Sequence, residues 1–184
     1  MLVVVIIGIA ASLVSLSVGD GNQGLLLKQD SQKLYKTMQL ALSEAAFSQK
    51  QIGLRFDVAN QSGQLQYQWL VFDDKVRRWQ GFSTEDLRQE ELPENLRLEL
   101  EIDKQAVIIG AKKDEDGLFE IADSINEEKR IEPDIYFLSS GEMPDFTLRL
   151  FVAKNPDSAY QITGDLVGRL QFLNPGEKPD VKQP

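Results

Sequence analysis

The sequence predicts an α+β fold: one long N-terminal helix packed on a mostly antiparallel β-sheet domain. Three observations predict it. An uncharged apolar run opens the chain, a segment with apolar residues at helical spacing follows, and beyond residue 53 short stretches alternate apolar and polar residues between turn signals. One helix first and then only strands is the pattern of an α+β domain.

The opening run, Met1 to Val18, contains no charge, and its only polar residues are Ser12, Ser15 and Ser17. As a helix it reaches about 27 Å, close to the hydrocarbon thickness of a bilayer. A core helix apolar on every side has nothing to surround it at the end of a small chain. A cleaved signal peptide carries a basic start and an A-x-A-like end. Met1-Leu2-Val3 and Ser15-Leu16-Ser17-Val18 show neither mark. The expectation is a retained membrane-spanning helix. Leu2, Val5, Ile6, Ile9, Leu13 and Leu16 supply its apolar surface, and Gly8 and Ser12 are small enough for close helix packing. No Lys or Arg precedes the run, so the positive-inside rule gives no orientation, and a start upstream of Met1 is expected.

Gly19, Gly21 and Gly24 follow, each costing about 1 kcal/mol in a helix interior, so residues 1–24 read as an apolar helix with a glycine break or joint. Leu27, Leu34, Met38, Ala41, Leu42 and Ala45 then recur at helical spacing. They predict an amphipathic helix at about residues 25–49, ended by Gly53, with Leu34, Met38, Leu42 and Ala45 as the helix-to-sheet core. Joined to the apolar run, it makes one long helix. The domain proper is expected over residues 25–174, and the Pro-rich polar stretch 175–184 reads as a loose tail.

The strands come in order. Gly53–Ala59 and Gln64–Phe72 alternate around Asn60-Gln61-Ser62-Gly63 and form a hairpin. Val76–Trp79, Arg97–Ile102, the apolar run Val107–Ile109, Phe146–Val152, Tyr160–Thr163 and Arg169–Leu173 complete the sheet. Asp114-Glu115-Asp116-Gly117 with Glu120 is rich in oxygen ligands but lacks the twelve-residue calcium pattern, and reads as a hairpin turn.

Composition narrows the function. The 184 residues contain no cysteine and no histidine and carry a formal charge of −9. Disulfide scaffolds, thiolate zinc sites and Ser-His-Asp or Cys-His catalysis are excluded. An acidic chain does not fit nucleic-acid binding. A Ser–Lys dyad or carboxylate pair is compatible with the composition, but no spacing singles one out, and no phosphate-binding glycine loop occurs. The expectation is no enzyme, no cofactor and no metal, but a protein that acts by binding or assembly. Residues 84–145 are rich in acids, among them Glu85, Asp86, Glu90, Glu91, Glu94, Glu127, Glu128 and Glu132. They read as a solvated face, with docking of a basic partner as the functional alternative.

Three stretches resemble a known family. The run from Val3 to Val18 is similar to the hydrophobic half of the pilin helix. Leu34–Asp57, with Glu44-Ala45 leading into Ile52-Gly53-Leu54, is similar to the long helix and first strand of the minor pseudopilin H of type II secretion. Pro133, Ile135 and Phe137, then Gly141-Glu142, then Phe146 and Leu148, resemble its C-terminal "P-x-I-x-F … G-E … F-x-L" pattern. Tyr67, Trp69 and Trp79 fit as well.

The resemblance implies a pilin-like fold. It implies a structural subunit near the tip of a periplasmic pseudopilus, supporting protein export across the outer membrane. The implied partners are other minor pseudopilins, the major pseudopilin, the inner membrane and secreted cargo, with no nucleic acid. The implied location is a single pass through the bacterial inner membrane with the C-terminal domain in the periplasm. Family members begin with a basic leader ending in Gly, then Phe-Thr-Leu and a Glu; a peptidase cuts after the Gly and methylates the new amine. None of these residues occurs here, and Met1 aligns inside the mature helix. A minor pilin of a type IV pilus and an unrelated membrane-anchored periplasmic binding domain are the alternatives.

Overall fold

The structure, a computed structural model, describes the backbone of residues 2–59, 62–109 and 131–179 and, within these, side chains from Gln23 onward. Helix α1, Leu2–Ser48, is continuous over 47 residues, about 70 Å at the usual rise per residue. Of the two readings of residues 19–24, a break or a joint within one long helix, the glycine-rich stretch forms no break and stays helical. Glycine weakens a helix but, unlike proline, removes no backbone donor, so the helix propagates through. The side chains of Leu2, Val5, Ile6, Gly8, Ile9, Ser12, Leu13 and Leu16 lie outside those described, and the expected span with them. Among the described residues no helix is long and apolar enough to cross a membrane.

α1 stops at Ser48, not near Gly53. Gln49 adopts a left-handed conformation with φ 55°, and the Lys50 amide donates to the Ala45 carbonyl at 3.2 Å. That is a left-handed C-cap built without glycine. Gly53 instead lies inside the first strand.

Among the described residues ten strands follow: β1 Ile52–Val58, β2 Leu65–Asp73, β3 Arg78–Phe82, β4 Glu90–Glu91, β5 Leu96–Ile102, β6 Gln105–Val107, β7 Ile135–Phe137, β8 Phe146–Val152, β9 Asn155–Gly164 and β10 Leu170–Leu173. They form two sheets, where the sequence suggested one. The first runs β3-β2-β1-β7, with β4 beside β2, and the second runs β10-β9-β8-β5-β6. The pairings are antiparallel.

The remaining departures are local. β3 starts at Arg78, because Arg77 sits in the turn with φ 51°. Asp103 and Lys104, with φ 51° and 65°, make the two-residue turn between β5 and β6. The turn pulls that strand forward to Gln105–Val107 and leaves Ile108 exposed. β9 starts at Asn155, five residues ahead of the alternating run. β4 and β7 are too short to show a period. The acidic loop Asp114–Gly117 lies outside the described residues.

The inner faces of both sheets and one face of α1 share a single core. Leu34 and Met38 from the helix meet Leu54 and Trp69 of the first sheet and Phe146, Leu148 and Ile162 of the second. Each such side chain contributes roughly 1.5–3 kcal/mol by leaving water.

Candidate functional site along the long helix

α1 has two faces that do different work. Leu27, Ser31, Leu34, Met38, Ala41 and Ala45 are buried. They alternate steps of four and three and so form one stripe against the sheets. Of the predicted helix-to-sheet residues, Leu34, Met38 and Ala45 are buried and Leu42 packs half-buried on the core. Ser31 was missed because it is polar. Its hydroxyl donates to the Leu27 carbonyl at 2.7 Å, which satisfies it without leaving the helix.

The outward flank is different. Leu26, Leu40 and Phe47 are 49%, 39% and 89% exposed. Gln29, Lys33, Lys36, Thr37 and Leu40, with Asp86 from the segment between β3 and β4, line an open groove of about 440 Å³.

A polar clamp ties the outward flank, through Lys33, to the first sheet. Lys33 Nζ lies 2.6 Å from Glu90 Oε2, and the Tyr67 hydroxyl donates to the same carboxylate at 3.0 Å. The register places Tyr67 opposite Glu90. One helix residue and two strands thereby converge on one carboxylate. Burial pushes Glu90 up, but the hydrogen bonds from Lys33 and Tyr67 outweigh it and hold the carboxyl below its usual range. Burial and the neighbouring Glu90 push the Tyr67 hydroxyl well above its ordinary value. Burial also raises Asp30, with Lys33 opposing and Glu90 adding. Glu90 therefore does not belong to the solvated face expected of it. Glu85, Asp86, Glu91, Glu94 and Glu132 are exposed, while Glu127 and Glu128 lie outside the described residues.

The C-terminal motif residues build the sheet instead of a reactive site. Ile135 and Phe137 are fully buried and pair with Leu54 and Ile52. Asp134 locks the pairing: its amide donates to the Leu54 carbonyl at 2.9 Å and its carboxylate accepts the Phe56 amide at 2.7 Å. Pro133 covers Gly53 so closely that a Cβ there would sit 2.5 Å from the proline Cβ. Gly141, with φ 88°, turns the chain after β7, and its carbonyl meets Gly168. The Glu142 carboxylate accepts from the Ser140 hydroxyl at 3.0 Å, and Phe146 is buried under Gly164. No group of three or more acidic side chains placed to hold a metal ion occurs among the described residues.

This helix, motif and sheet arrangement is matched by known proteins. The family model described as Type II transport protein GspH matches residues 30–168. The chain belongs to the GspH family. The type II secretion system protein H of Vibrio cholerae is 30% identical over 164 residues, 83% of this chain and 80% of that protein. The protein of the same name from Pseudomonas aeruginosa is 29% identical over 152 residues, 82% and 77% of the two chains. A structure of the minor pseudopilin EpsH from the Type 2 Secretion System of Vibrio cholerae superposes with a TM-score of 0.60 at 29% identity. It covers 83% of this chain and 99% of that one. A second, crystal structure of EpsH gives 0.59 at 26% identity, covering 83% and 96%. The matched GspH segment begins inside α1, at the helical turn that carries Ser31 and Lys33, and runs through the β9–β10 turn. It therefore includes the buried stripe from Ser31 onward, the clamp and the C-terminal motif, and the pilin-like α+β fold is that of these neighbours.

Proposed function

We propose that the chain is a minor pseudopilin, a structural subunit of the type II secretion pseudopilus that supports protein export. The observation that carries the proposal is the fit to EpsH, which spans nearly all of that chain and keeps the long helix packed on two antiparallel sheets. Its action is assembly. The apolar first half of α1 holds the subunit in the inner membrane and packs against other helices, and the β-domain stands in the periplasm. Leader removal and N-methylation upstream of Met1, a place near the tip, and contact with other pseudopilins and secreted cargo belong to the same proposal.

The test is deletion and complementation. Loss of the gene is expected to block secretion of type II cargo, and the full chain restores it. Secretion that persists while pilus function is lost overturns the proposal in favour of a type IV minor pilin. An in-frame basic leader ending in Gly, read from the DNA upstream, checks the processing step.

A further inference from the structure

The turn between β9 and β10 carries two side chains that its own fold does not use. Leu166 and Val167 are 65% and 71% exposed. Among the described residues they are the only adjacent pair of exposed large apolar side chains outside α1. Turns are ordinarily made of Gly, Asn, Asp, Ser or Pro, which shape the backbone; Leu and Val bring no such preference. The backbone is held in place by other groups. The Asp165 carboxylate accepts the Val167 amide at 3.1 Å, the Arg169 amide at 3.0 Å and the Arg169 Nε at 2.7 Å. The Gly168 amide donates to the Asp165 carbonyl at 2.9 Å. Gly168 packs so closely on the Gly141 carbonyl that no Cβ fits between them. A tip fixed in this way presents its apolar pair with little ordering left to lose on contact.

Charge selects the occupant. The register sets Ile102, Phe146, Gly164 and Leu170 side by side on β5, β8, β9 and β10. The residues next to them at the ends of those strands, Asp103, Asp145, Asp165 and Arg169, therefore share one rim of the second sheet. Asp103, Asp145 and, on the turn that touches Gly168, Glu142 are exposed. Of the cations beside them, Lys104 and Arg169, the latter is held by Asp165. The rim is acidic, in a chain of net charge −9. A second copy would set these carboxylates against themselves. An anionic lipid surface would repel them, where a lipid-inserting tip carries cations.

We propose that the β9–β10 turn is a docking finger: Leu166 and Val167 enter an apolar pocket, rimmed by Lys and Arg, on another protein of the secretion assembly. The proposal rests on the assembly function given above and names a surface and a partner chemistry for it.

The test uses the full chain in a strain lacking its gene, with the other proteins of one type II system each carrying its own tag. A photo-reactive residue at Val167 is expected to capture one tagged protein, and Glu142→Lys with Asp145→Lys to cut the yield at least five-fold. Leu166→Ser with Val167→Ser is expected to keep the urea midpoint and to lower secretion at least ten-fold, whereas Val76→Ser, at the exposed β2–β3 turn, leaves secretion intact. Capture of phospholipid or of a second copy of this chain alone overturns the proposal, as does a yield indifferent to the two lysines. A fallen midpoint for the double-serine variant assigns the pair to the subunit's own fold and also overturns it. Normal secretion by that variant, with secretion still lost on gene deletion, overturns the docking finger and leaves the assembly function standing. Secretion that survives gene deletion overturns both.

Discussion

The two apolar rows of α1 share a helix and a period, yet only one is satisfied within the chain. The row from Leu27 to Ala45 is buried to the last residue, whereas Leu26, Leu40 and Phe47 face outward. Steps of four and three keep the buried row on one face of an undistorted helix. The outer row is sparser and interrupted by Lys33. Apolar spacing shows that a face wants a partner; the density of the row shows whether the partner is the same chain.

The largest expected effect lies on the buried row. Leu34→Asp places a carboxylate with no partner where Leu34 is 1% exposed, which is expected to cost more than about 4 kcal/mol and unfold the domain. Met38→Ala leaves a cavity and is expected to cost about 2–5 kcal/mol. Urea unfolding of the full chain in detergent checks both, and an unchanged midpoint for Leu34→Asp would remove this row from the core.

Next is the contact between β1 and the C-terminal motif. Gly53→Val drives a side chain into Pro133 and Trp79, and the proline lies on a chain segment fixed by Asp134. The expected cost is about 1–3 kcal/mol. Limited proteolysis checks it, with faster cleavage near Glu132 expected if β7 loosens.

The clamp is weaker. Tyr67→Phe removes one hydrogen bond to Glu90 and is expected to cost about 1 kcal/mol. Glu90 is held below its unfolded value, so its contribution is full above the ordinary carboxylate range and is lost as pH falls through the lowered folded value. Asp30 is held above its unfolded value, so its contribution is present at low pH and is lost as pH rises through the raised value. The two oppose each other. Glu90→Gln is therefore expected to flatten the loss of stability between about pH 5 and 3, measured as the urea midpoint against pH.

Much of this architecture is legible in the residues. The amphipathic spacing of Leu34, Met38 and Ala45 and the alternation of Phe146 to Val152 gave helix and strand directly, because each pattern spans several periods. Gly53 was misread as a helix stop. Glycine marks both C-caps and close backbone approach, and Pro133, which decides between them, lies 80 residues away in sequence. The clamp was invisible for the same reason: Lys33 and Glu90 are 57 residues apart, and nothing local distinguishes Glu90 from the exposed Glu91 beside it. The second sheet follows from pairing choices, such as β5 beside β8, that depend on the closed core and on no short segment.

The smallest expected effect on stability is at Phe47, and it sharpens the comparison most. With the ring 89% exposed, Phe47→Asp removes almost nothing from the fold, and a change within about 0.5 kcal/mol is expected. The same substitution is expected to abolish complementation of secretion, because a charge replaces the anchor of the outer row. A variant that folds normally yet cannot support export would separate the two rows by function, as Leu34→Asp separates them by stability. If Phe47→Asp instead shifts the urea midpoint by 2 kcal/mol or more, the outer row belongs to the subunit's own core and the division between the two faces of α1 collapses.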